Sequence, residues 1–295
     1  MVHKSVLTKE VIRYLNLKKG GTYLDATLGC GGHAALILEK ISPNGFLIGI
    51  DCDEEALACA RNKLSKFKKS SYKIIKSNFK DIDFILENIG IKKIDGVLFD
   101  LGVSLLQFKN ANRGFSINLD GALDMRMDLS QSLNAFDVVN KYPEKELYRI
   151  IREFGEERYA GRITRFICEK RKTSGIRTTS ELANVITRAV GHRYRKSRIH
   201  PATRTFQAIR ITVNKELDAL SEALEKLPFI LNKAARVCVI SFHSLEDRIV
   251  KNCFKRYAKE NKFLLVNKKP IVASFEEVKE NPRSRSAKMR AAEFK

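Results

Sequence analysis

No apolar run in the sequence approaches the ~18–20 residues that a membrane-crossing helix needs. The opening Met1-Val-His-Lys-Ser5 lacks an apolar stretch followed by a small-residue cleavage site, so no secretory leader is expected. None of the six cysteines (Cys30, Cys52, Cys59, Cys168, Cys238 and Cys253) forms a C-x-x-C pair, and no His/Cys cluster has zinc-ligand spacing. The expectation is therefore free thiols in a reducing cytoplasm, with no metal and no membrane. Internal repeats and low-complexity tracts are absent. With 44% hydrophobic and 30% charged residues, the chain is not disordered, collagenous or a small disulfide scaffold. Acidic residues are scarce, 34 Asp and Glu against 55 Lys and Arg, leaving a formal charge of +21. Such a surplus favours a polyanionic partner, most simply nucleic acid, over a merely basic solvated surface.

The 295 residues amount to about two domains. Residues 6–16 have the spacing of a short amphipathic helix. Buried-strand patterns occupy Thr22 to Thr27, Gly45 to Ile50, Tyr72 to Lys76 and Ile94 to Phe99. Helical spacing over His33 to Lys40 and Glu54 to Lys66 separates them. Short apolar strands alternating with helices predict a parallel sheet covered on both faces. From about residue 109 the pattern turns helical. Residues 158–198 hold twelve Lys/Arg against only Glu169 and Glu181. Phe206, Ile209, Val213, Leu217, Leu220 and Leu224 then predict one long helix. Strands are expected at Arg236–Ser241, Phe263–Val272 and Ala287–Phe294. The reading is an α/β domain from 1–108 and 200–295, interrupted at 109–199 by a basic helical domain.

In an open parallel sheet, ligands sit beyond the carboxyl ends of the strands. Four such ends carry Gly29-x-Gly31-Gly32, Asp51, Ser77-Asn78-Phe79 and Asp100-Leu-Gly-Val-Ser104. The glycines allow close backbone approach. Asp51 suits a ribose diol. Phe79 fits an adenine or the core, Asp25 a cation or its own loop, and His33 a ligand or a nearby carbonyl. Gly29-x-Gly31-x-x-Ala34 also matches a relaxed dinucleotide fingerprint, which keeps a nicotinamide-dependent oxidoreductase in view. No phosphate-directed basic residue accompanies that loop, and polar residues clustered over adjacent strand ends suit a compact nucleoside. S-adenosylmethionine is such a ligand, and its cationic sulfonium favours Asp25 and Asp100 nearby.

Asp25-Ala-Thr-Leu-Gly-Cys-Gly-Gly-His33, Ile50-Asp-Cys-Asp53, Arg113-Gly-Phe-Ser116, Leu123-Asp-Met-Arg-Met-Asp128, His200-Pro-Ala-Thr-Arg-Thr-Phe-Gln-Ala208, Ile240-Ser-Phe-His-Ser-Leu-Glu-Asp-Arg-Ile-Val250 and Asn281-Pro-Arg-Ser-Arg-Ser286 are long, unusual stretches. Through them the chain resembles the bacterial 16S ribosomal RNA (cytosine-N4)-methyltransferase family, the MraW family. The resemblance implies a class I S-adenosylmethionine-dependent methyltransferase, a Rossmann-like α/β sheet with an inserted all-helical domain. It implies S-adenosylmethionine as methyl donor and a decoding-centre cytosine of the small ribosomal subunit as acceptor. The family's cofactor contacts fall on Gly31, Gly32, His33, Asp51, Phe79, Asp100 and Gln107. Ser104-Leu-Leu-Gln107 departs from the family's usual Ser-Ser-Pro-Gln by lacking the proline.

Amino methyltransferases often carry Asp/Asn-Pro-Pro-aromatic after the fourth strand. Here Asp100 keeps the carboxylate without the aromatic, and it is the expected catalytic residue, orienting the acceptor amine or the cofactor's amino group. Arg113, Arg126, His200, Arg204, Gln207 and His243 are candidates for holding RNA near the pocket, although Asp124 and Arg126 also suit a local ion pair. Arg193, Arg195, Lys196 and Arg198 are expected on phosphates, alongside Arg283 and Arg285. The rival readings are a DNA amino methyltransferase, the oxidoreductase above and a non-enzymatic RNA-binding protein. The last has no use for Asp51 or Asp100 at strand ends.

Overall fold

The computed structural model describes residues 5–191 and 199–295. The strands are β1 (Thr22–Asp25), β2 (Phe46–Asp51), β3 (Tyr72–Lys76), β4 (Ile94–Asp100), β5 (Leu231–Ser241), β6 (Phe263–Leu265), β7 (Ile271–Val272) and β8 (Lys288–Phe294). The helices are α1 (Thr8–Leu15), α2 (Gly32–Ile41), α3 (Glu54–Leu64), α4 (Ile82–Asn88), α5 (Leu105–Lys109), α6 (Ala135–Lys141), α7 (Glu144–Glu153), α8 (Ala160–Thr173), α9 (Thr179–Val190), α10 (Thr203–Asn214), α11 (Glu216–Ile230), α12 (Ser244–Lys259) and α13 (Phe275–Glu280). Local sequence sets several of these. Asp53 caps α3 by accepting from the Glu55 N–H, with Glu54 and Glu55 in the first turn and Arg61 and Lys63 in the last, all favourable to the helix dipole. Thr178 and Glu181 form a reciprocal capping box on α9.

The chain divides into two compact units, Met1–Gly102 with Leu217–Lys295, and Val103–Glu216. The first holds the whole sheet, in the order β3-β2-β1-β4-β5-β8-β6, with β7 on β8. Strands β3 to β5 along this path are parallel; β8 runs antiparallel to β5, and β6 and β7 antiparallel to β8. The expected parallel sheet thus has a mixed edge, which strand–helix alternation alone does not disclose. Alternate residues feed opposite faces. Leu24, Ile48, Ile50, Val97 and Phe99 pack with apolar residues of α4, α11 and α12. Tyr23, Leu47, Leu98 and Cys238 pack with those of α1, α2 and α3. This is the expected Rossmann-like α/β sheet, with a helical segment inserted between β4 and β5.

The second unit has its own core, built from α6 to α10 and the loops around Phe115, Leu123 and Met125. Its limits lie at 103 and 216, outside the expected 109 and 199. The stripe expected as one helix is the reason. It breaks at Lys215, whose φ of 49° is left-handed, giving α10 and α11. Phe206, Ile209 and Val213 belong to the helical core, whereas Leu220 and Leu224 belong to the sheet core. The expected strand over Phe263–Val272 is likewise two short strands. Asn267 turns the chain between them, its side chain donating to the Lys269 carbonyl at 2.5 Å and accepting from the Ala291 N–H at 2.7 Å. Pro270, with no N–H, cannot extend a ladder there.

Candidate functional site

The parallel register brings Asp25, Asp51 and Asp100 to one edge of the sheet unit, at the ends of β1, β2 and β4. The loop after β1 is tied to both neighbouring strands. Thr27 Oγ1 accepts from the Asp100 N–H at 2.6 Å, the Leu28 N–H donates to the Ile50 carbonyl at 2.8 Å, and the Gly29 N–H donates to Asp51 Oδ2 at 2.8 Å. Two glycines leave the backbone open here, and the left-handed φ of Gly31 favours glycine. Gly31 has φ +72°, and a Cβ there would stand 3.4 Å from Ala60 Cβ. A Cβ on Gly32, the first residue of α2, would fall 2.0 Å from Ser5 Oγ.

Charge is concentrated at this edge. Asp25 is 1% exposed. Burial pushes its carboxyl pKa up to about 7; His33 and the Thr27 N–H pull against that, and the Asp100 and Asp51 carboxylates reinforce it. Asp51 is also raised by burial, although the Asp53 and Gly29 N–H groups oppose the shift. The Gly29 and Asp53 N–H groups donate to the two Asp51 oxygens, and the Cys52 N–H also bonds this carboxylate, whose roughly four lone-pair sites leave room for a hydroxyl. Burial works against a charged His33, but Asp100 and Asp25 outweigh it and raise the imidazole pKa. Its Nε2 lies 3.4 Å from Asp100 Oδ2. Asp100 Oδ1 and His33 Nδ1 are buried with no hydrogen-bond partner among the described residues. Buried polar atoms are rarely left so, and these two await a ligand donor and acceptor. A cationic nucleoside fits the edge: a diol acceptor on β2, and beside it the Asp25 carboxyl on β1 and the unpartnered Asp100 Oδ1 on β4.

The remaining expected residues sort by unit. Phe79, just beyond β3, sets its ring edge-to-face on Phe99 at 5.7 Å and is only partly buried, so core contact and an open ring surface coexist. Gln107 lies in the helical unit, where its side chain closes a capping box with Ser104. Arg113 and Arg126 turn inward as braces. Arg113 Nη2 donates to the Arg126 and Met127 carbonyls at 3.0 and 3.1 Å. Arg126 grips Asp124 with Nε and Nη2 and donates from Nη1 to the Leu129 and Gln131 carbonyls. Gln207 donates to the Phe154 carbonyl and Arg204 to that of Glu156, so both staple α10 to the turn after α7. His200 is exposed, its Nδ1 accepting from the Ala202 N–H. His243 caps α12, with Nδ1 accepting from the Glu246 N–H and Nε2 3.2 Å from Glu246 Oε1. Arg193, Arg195, Lys196 and Arg198 lie outside the described residues. All six cysteines are free thiols. No helix among the described residues is long and apolar enough to cross a membrane.

Two residues of the edge carried no sequence signal. Thr27 fixes the backbone of Asp100, as above. Glu277 on α13 accepts the Leu7 N–H at 2.7 Å and adds negative charge near His33. A single threonine in a loop motif and a lone glutamate far along the chain have no periodicity to reveal them.

A sequence model of the MraW methylase family matches residues 1–295. A protein of Sulfurihydrogenibium sp. (strain YO3AOP1) called ribosomal RNA small subunit methyltransferase H is 52% identical over 289 residues, covering 98% of this chain and 97% of its own. Proteins of the same name from Clostridioides difficile (strain 630) and Persephonella marina are 47% and 49% identical, each covering at least 98% of both chains.

Proposed function

The chain belongs to the MraW methylase family, and from that premise we propose that it methylates the exocyclic N4 of a decoding-centre cytosine in 16S ribosomal RNA. It is a methyltransferase and its methyl donor is S-adenosylmethionine. When bound, the donor supplies a methyl group already activated by the sulfonium. The observation that carries the reading is the buried Asp100 Oδ1, unpartnered among the described residues at the end of β4 beside His33.

The protein's tasks are placement and orientation. Asp51 takes the ribose diol, Phe79 the adenine face, and Gly31 and Gly32 let the backbone come close. His33 and Asp100 complete the donor site within the sheet unit. The cytosine amine shares its lone pair with the ring. A carboxylate accepting one of its N–H bonds helps the nitrogen pyramidalise and present that pair. Asp100 Oδ1 is suited to this, with its backbone held by Thr27. No strong base is needed, because the methylated nitrogen is an acidic ammonium that loses its proton readily.

The base must leave its stack to reach the methyl. The basic stretch 158–198, including Arg193, Arg195, Lys196 and Arg198, holds the RNA backbone, with the exposed His200 just ahead of α10 as a further contact. The cytoplasm, where ribosomal RNA is made into subunits in a bacterium, is the site of action. The test is to map the methylated base in small-subunit RNA from cells with and without the protein. Loss of one N4-methyl on a decoding-centre cytosine supports the reading, and an unchanged map overturns it. Tritium transfer to DNA in place of RNA would favour the DNA amino methyltransferase.

A further inference from the structure

The antiparallel β8 has a consequence for the residues that precede it. Its first residue, Lys288, pairs with Ser241 at the carboxyl end of β5. The chain entering β8 therefore lies at the same edge as Asp25, Asp51 and Asp100. In register, Asp100 pairs with Ile240 and Ile240 with Met289, so Asp100 and Met289 stand two strand spacings, about 10 Å, apart. The 3-10 turn Pro282–Ser286 comes just before. It is anchored by Ser284, which is fully buried and bonds through both N–H and Oγ to the Asn281 carbonyl at 2.9 and 2.8 Å. Arg283 is half-buried in this turn, while Arg285 is exposed. Burial lowers the Arg283 pKa, and the nearby Asp100 carboxylate opposes that shift.

S-adenosylmethionine carries two cationic groups, the sulfonium and the ammonium, and one anion, its α-carboxylate. The sheet order gives a ruler along the donor. Adenine at β3 and ribose at β2 leave the amino-acid tail to β1 and β4, toward β5. Asp25 and Asp100 match the tail's cations, but a row of carboxylates repels its anion. A guanidinium beside Asp100 supplies the missing complement, in a fork suited to bidentate carboxylate binding.

We propose that Arg283 binds the α-carboxylate of the S-adenosylmethionine tail, a placement that rests on the donor reading above. Of the pair Arg283 and Arg285, only the exposed Arg285 then keeps the expected phosphate role. Titration calorimetry of the full chain tests this with three ligands: S-adenosylmethionine, S-adenosylhomocysteine, which keeps the tail, and methylthioadenosine, which lacks it. Arg283→Met weakens the first two by roughly 10–100-fold, the worth of a charge-assisted hydrogen bond. It leaves methylthioadenosine unchanged, and Arg283→Lys recovers part of the loss. Unchanged S-adenosylmethionine affinity in Arg283→Met, with weaker RNA binding, would overturn the proposal in favour of a phosphate contact. Equal weakening of all three ligands would overturn it in favour of a purely structural arginine. Wild-type protein that binds none of them removes the donor reading itself and this proposal with it.

Discussion

Asp25 offers the sharpest energetic test of the charged edge. Its carboxyl is fully buried and its pKa is raised from 3.8 to about 7 by burial first, with His33 and the Thr27 N–H opposing. A folded-state pKa above the unfolded one means that the folded protein binds the proton more tightly. The stability this contributes is complete below pH 3.8 and is lost as pH rises through about 7. Between pH 5.5 and the folded pKa lie about 1.5 pH units, so moving from pH 5.5 to 8.5 costs the ligand-free protein about 2 kcal/mol through this group. Asp25→Asn removes the titration while its amide oxygen can still accept the Thr27 N–H. Thermal unfolding of both proteins at each pH is the assay. The variant should gain on the wild type by about 2 kcal/mol from pH 5.5 to 8.5, or about 4 °C in Tm. Parallel pH curves, or a variant that loses ground at high pH, would refute the argument.

Asp100→Ala should cut methyl transfer sharply while the chain stays folded, since Asp100 is about a quarter exposed and its backbone link to Thr27 survives. Near-normal turnover in a methyl-transfer assay would remove its role. Arg126→Ala should lower stability by about 2 kcal/mol, because it strips the Asp124 pair and two carbonyl bonds from a partly buried brace. Unchanged melting with weaker RNA binding would instead make Arg126 an RNA contact. Replacing Arg193, Arg195, Lys196 and Arg198 together by glutamine should reduce the slope of log affinity against log salt for RNA by about 3. A flat salt response in the wild type would mean that this stretch is only a solvated face.

Much of the sheet was legible because β1, β2 and β4 are short apolar runs ending in aspartate, and Asp51 and Asp100 stand where such runs must present them. Strand direction at the far edge was not, since an antiparallel β8 has the same local pattern as a parallel strand. That missing direction also hid Arg283, whose place at the cofactor edge follows only from the β5–β8 register. The stripe from Phe206 to Leu224 obeyed one helical period yet serves two cores, and the break at Lys215 leaves no mark in an apolar pattern. The inward turn of Arg113 and Arg126 was equally unreadable, because a basic residue in a loop motif looks the same whether its partner is a carbonyl or a phosphate.

The most direct measurement is a crystal structure of the protein soaked with S-adenosylmethionine. The account predicts the nucleoside at the carboxyl ends of β1, β2 and β4, its ribose hydroxyls on Asp51 and its sulfonium next to Asp100. Density for the nucleoside elsewhere, or none at that edge at saturating concentration, would contradict it.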